Sequence, residues 1–119
     1  MNRKIVMSAV IAFSISIGIY ASPADSIIAY PIPYNPGKGV MKFADTGGTL
    51  GSANVDITIY DINGDQVFSR SYVGFASTYW NGHNDAGTKV SPGLYIVKVA
   101  VEDAGGISDN KIIRILVRY

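Results

Sequence analysis

The stretch Trp80-Asn81-Gly82-His83-Asn84-Asp85-Ala86-Gly87-Thr88-Lys89-Val90-Ser91-Pro92-Gly93-Leu94-Tyr95 decides how the rest of the chain is read. Gly82, Gly87 and Gly93 fall where a chain must reverse twice between strands. Positive φ or close backbone approach at such points suits a residue without a Cβ. Asn81, Asn84 and Asp85 carry short polar side chains that bond their own backbone in such turns. Trp80 then fills one end of a core, and Tyr95 opens a long strand beyond the corner. The stretch reads as a fold-determining corner rather than an active site.

Working outward, the alternation of apolar and polar residues defines strands on both sides. Tyr95, Val97, Val99 and Val101 share a face opposite Ile96, Lys98, Ala100 and Glu102. Further on, Ile113, Ile115 and Val117 oppose Arg114 and Arg118. Upstream, Val55, Ile57 and Ile59 oppose Asp56, Thr58 and Tyr60. A period of two with one buried and one wet face is the signature of a strand. Apolar runs predict further strands near 27–30, 40–43, 66–72 and 78–80. Asp61-Ile62-Asn63-Gly64-Asp65 between two of them is a hairpin signal, since Asn-Gly tolerates positive φ. Pro92-Gly93 and Ala104-Gly105-Gly106 punctuate later strands, and 46–52 is a long glycine-rich loop. The three prolines of Tyr30-Pro31-Ile32-Pro33-Tyr34-Asn35-Pro36 predict an extended, non-pairing lead-in. About seven short strands with almost no helix signal predict an all-β, immunoglobulin-like β-sandwich.

Composition sets the outer bounds. The chain has 119 residues, net charge +1, no cysteine, one histidine, 13 glycines and eight tyrosines. With 48% hydrophobic and 16% charged residues it is too apolar for a disordered tail. The missing cysteines exclude a disulfide scaffold and thiolate-bound zinc or iron–sulfur centres. Near-neutral charge gives no electrostatic footprint for nucleic acid. Arg3 and Lys4, the apolar run 5–19 and the small residues Ala21, Ser22 and Ala24 have the layout of a secretory signal peptide. Its expected extent is 1–24, with a cut after Ala21 as the rival, leaving one domain over 25–119. The run is shorter than the roughly 20 residues of a membrane span, so no span is expected once the signal is removed.

Candidate chemistry is sparse. Asp61, Asn63 and Asp65 have the one-three-five spacing of a calcium loop, but Gln66 and Tyr72 stand where such a loop needs glycine and glutamate. The hairpin turn accounts for the same residues. His83 beside Asp85 has no cysteine and only one glutamate, Glu102, in the chain to work with. No serine sits in a glycine-flanked nucleophile elbow. No catalytic residue, metal site or cofactor is therefore expected. Trp80 and Tyr95 are assigned to the core. Tyr72, Tyr79 and His83 are the candidate surface contacts, and Tyr72, Tyr79 and Trp80 together would make a stacking platform for sugars.

Several of these motifs together resemble a bacterial immunoglobulin-like module. Residues 30–36 resemble its "YPNPFNP" opening, with Ile32 for the usual asparagine and Tyr34 for the usual phenylalanine. Residues 57–67 resemble its isoleucine–tyrosine strand followed by "GxxV". Trp80, Gly82, Asn84, Gly87, Val90, Gly93 and Tyr95 meet its pattern "W(D/N)GxNxxGxxVxxGxY". The chain is thus similar to the immunoglobulin-like domain of the flagellar hook-capping protein and to the C-terminal sorting domains of type IX secretion. The resemblance implies the fold and a module without catalytic residues.

Together these readings predict an exported, non-enzymatic module, outside the cytoplasm, with a structural or protein-binding role in the bacterial envelope. A type IX sorting domain and a carbohydrate-binding module are the alternatives. A protein partner is expected to meet the end loops or the edge of the last strand, where Arg114 and Arg118 discourage unwanted pairing.

Overall fold

The computed structural model describes residues 23–119. The expected signal peptide therefore lies outside the described residues, except for its last two positions. Seven strands follow in order: β1 (Ile27–Tyr30), β2 (Met41–Asp45), β3 (Asn54–Asp61), β4 (Gln66–Val73), β5 (Tyr79–Trp80), β6 (Gly93–Glu102) and β7 (Ser108–Val117). They form two antiparallel sheets, ordered β1-β2-β5 and β4-β3-β6-β7. The chain is a β-sandwich.

The predicted alternation is what packs the layers. Val55, Ile57 and Ile59 of β3, Val97 and Val99 of β6, and Ile115 and Val117 of β7 are all buried. They meet Ile27, Met41, Phe43 and Trp80 from the smaller sheet in one hydrophobic cluster. Each large aliphatic side chain removed from water in this way contributes about 1.5–3 kcal/mol. Trp80 is the hub. The rings of Tyr34, Phe68 and Tyr95 have centroids 5.8, 6.2 and 6.1 Å from its own. Its indole Nε1 donates to His83 O at 2.9 Å, so the one polar atom on the ring is satisfied inside the core.

Four loops are built by one device. Asp45, Asp61, Asn84 and Asp103 each begin a turn and accept, through side-chain oxygens, the N–H groups of residues two and four positions later. In every case the residue three positions later is a glycine in the left-handed region: Gly48, Gly64, Gly87 and Gly106, with φ between 74° and 85°. Asp45 also accepts from Leu50 N and Ser26 Oγ.

Two expectations need correction. The proline-rich lead-in does pair: Tyr34 N–H donates to Leu116 O at 2.8 Å, and Arg118 N–H donates to Tyr34 O at 2.9 Å. Tyr34 forms a parallel bridge to Val117 and is itself buried. The prolines on either side lack an N–H, but Tyr34 keeps its own, and that single donor suffices. The last strand also starts earlier than its apolar pattern, at Ser108. Its polar first half lies along the matching length of β6, from Glu102↔Ser108 to Val99↔Lys111, where backbone hydrogen bonds need no particular side chain.

Candidate functional site

The residues singled out in the sequence separate into a corner around the buried Trp80 and a surface. Gly82 has φ 79°, and a Cβ there would come within 2.5 Å of Pro36 Cβ. Asn84 Oδ1 accepts from Ala86 N and Thr88 N, Gly87 has φ 84°, and Gly93 begins β6. Tyr95 is buried, and its hydroxyl donates to Ser91 O at 2.6 Å. Gly82, Asn84, Gly87, Gly93 and Tyr95 thus shape the turns and strand start that follow the buried Trp80.

His83 sits in this corner, with Nδ1 3.0 Å from Asn81 O. The neighbouring Asp85 faces elsewhere: its backbone N–H donates to Val67 O, and its carboxylate accepts from Ser69 N at 3.3 Å. The pair is not a dyad. Asp61 likewise commits Oδ1 to Asn63 N and Asp65 N at 2.9 and 3.0 Å, which makes a turn rather than a cation cage. Among the described residues there is no group of three side chains placed to hold a metal ion. Among them, too, no helix is long and apolar enough to cross a membrane.

Tyr72 and Tyr79 are brought together. Their ring centroids lie 6.1 Å apart, and Tyr72 Oη donates to Tyr79 O at 2.5 Å. Burial raises the Tyr72 hydroxyl above its ordinary range. Trp80, the third member of the sugar platform expected from the sequence, is wholly inside the core. That trio does not form a surface.

The edges of the larger sheet differ. On β4, Asp85 occupies Val67 O and Ser69 N, and Ser77 Oγ donates to Val73 O at 2.8 Å. On β7, Tyr34 occupies only the end, at Leu116 and Arg118. Strand geometry turns the N–H and C=O of Asn110, Ile112 and Arg114 toward that same side. No described strand lies beyond them. Ile112 and Arg114 are exposed on the outer face, beside Lys98 of β6. The sequence pointed to the edge of the last strand but could not show that β4 is covered, because the covering atoms come from loops separated from it along the chain.

Residues 29–114 match the protein family described as "Secretion system C-terminal sorting domain". This chain belongs to that family. The match spans the sandwich from β1 into β7, so the sorting domain and the folded unit are the same object. As a type IX sorting domain the protein is extracytoplasmic, in agreement with the expected location. Among solved structures it is similar to dimeric latent PorU from Porphyromonas gingivalis, with a TM-score of 0.56 and 23% identity. The likeness covers 76% of this chain and 9% of that one, and it shows the fold alone. No curated protein matches the sorting domain.

Proposed function

We propose that this sorting domain is an address: a non-enzymatic β-sandwich that secretion machinery reads through its surface and that does no chemistry of its own. The observation that carries the reading is the family match across 29–114, which takes in most of the core and both sheets. Its support in the geometry is that the polar groups of the corner and loops are spent on their own turns. The β7 edge from Asn110 to Arg114 is the contact we assign to a protein partner, which would add a strand there. The cationic neighbours Lys98, Arg114 and Arg118 favour an acidic partner segment. The single domain over 25–119, cut from a signal peptide over 1–24, belongs to the same proposal. So does kinship with the flagellar hook-capping module, which rests on residues 30–36, 57–67 and above all the Trp80–Tyr95 motif, and implies shared architecture.

The test is a fusion of residues 23–119 behind an exported reporter, in a host with type IX machinery. Delivery of the reporter to the cell surface or medium is expected. Retention in the periplasm, with the domain folded, would overturn the reading.

A further inference from the structure

We propose that the outer face of the three-stranded sheet binds an extended acidic polysaccharide, with Tyr30 and Tyr79 as stacking surfaces and Lys42 as the anion contact. The site is separate from the β7 edge and does not depend on the sorting role. Register creates it: Tyr30 pairs with Lys42, and Lys42 pairs with Tyr79. The three residues therefore form one row across β1, β2 and β5. Alternation sends their neighbours Ala29, Met41, Phe43 and Trp80 into the core and leaves this row outside. The tyrosines are 43% and 41% exposed.

Adjacent strands are about 4.8 Å apart, so the tyrosines stand roughly 10 Å from each other with an ammonium group between them. That separation exceeds one sugar ring. It suits a chain in which rings lie on the two phenol faces while an acid group meets the lysine. Stacking on tyrosine uses the apolar face of a sugar and leaves its hydroxyls in water.

The row borders a groove of about 390 Å³, also lined by Ala44 and Gly48, which leave its floor low. The wall is prearranged: the Tyr72 ring and hydroxyl brace Tyr79. Lys42 supplies the charge. Asp45 also lines the groove, but its carboxylate is occupied by Ser26, Gly47, Thr49 and Leu50. Among the described residues no carboxylate pairs with Lys42.

Calorimetry with polygalacturonate, its neutral methyl ester and polyglutamate tests the site on the purified exported protein. Binding to polygalacturonate is expected to weaken about tenfold or more in Tyr30→Ala and in Tyr79→Ala. Lys42→Gln should erase the preference for the acid over the ester, with unfolding temperature and fusion export unchanged. Absence of binding to polygalacturonate, or binding that survives both tyrosine substitutions, overturns the proposal. Equal binding of the ester or of polyglutamate by the unsubstituted protein also overturns it.

Discussion

At the scale of single residues, the recurring turn shows how little chemistry a reversal needs. An aspartate or asparagine starts it, and a glycine three residues later takes the left-handed conformation that closes it. Gly87 has φ 84° with open space where a methyl group would stand, so Gly87→Ala meets backbone strain alone. Its expected cost is about 1 kcal/mol. Gly82 has the same strain, and a Cβ there would also collide with the rigid ring of Pro36. Gly82→Ala should cost about 3 kcal/mol, and urea unfolding of the two variants measures the difference. The corner was legible because Trp80, the glycines and the asparagines lie close together along the chain. The kinship of the four turns was harder to see. Their shared feature is a spacing from a polar side chain to a glycine, and Asp45 and Asp103 sit among residues that look merely flexible.

Tyr34 carries a second residue-scale prediction. Burial pushes its hydroxyl up to about 12 from an ordinary 10.0. The folded state therefore holds this proton more tightly than the unfolded chain does. Its contribution to stability is complete below pH 10 and declines as the pH rises from about 10 to about 12. Tyr72, Tyr95 and Tyr119 are raised as well, chiefly by burial, and act in the same direction. Tyr34→Phe should flatten the alkaline fall in unfolding free energy, leaving the share of the other three. Asp45 works on the acid side. Burial alone would raise it, but the hydrogen bonds from Ser26, Leu50, Gly47 and Thr49 outweigh that and hold its carboxyl below the usual range. Its contribution is lost as pH falls through that depressed value.

At the scale of elements, the two ends of the larger sheet are treated differently. The β4 edge is covered by Asp85 and Ser77, whereas Tyr34 closes β7 only at the last rung of the ladder. Proline at a position whose N–H faces outward removes no bond to β6 but blocks an added strand. Ile112→Pro should therefore leave far-ultraviolet circular dichroism intact, lower the unfolding temperature only slightly and sharply reduce export of the reporter fusion. Full export of this variant would show that the edge is not read. Strand existence was legible from period two at β3 and β6. The start of β7 was not, because a strand templated by its neighbour needs no apolar rhythm of its own.

At the scale of the whole molecule, the start of the described chain is part of the core. Ala24 is fully buried, its N–H donates to Asp109 Oδ2 at 3.1 Å, and Lys111 Nζ donates to Asp25 O at 2.8 Å. A protein beginning at Asp25 should melt lower than one beginning at Ser22, by an amount comparable to one lost hydrogen bond and one buried methyl, about 2 kcal/mol. Scanning calorimetry of the two forms measures it. Equal melting would show that the cut expected after Ala24 costs the fold nothing.

The clasp between Tyr34 and residues 116–118 has a further consequence for the order in which the core can close. One flank of the core stays open until residues 115–118 are in place, because Ile115 and Val117 supply its interior. That flank closes once Tyr34 pairs with Leu116 and Arg118, which ties residues more than eighty positions apart into a single cooperative unit.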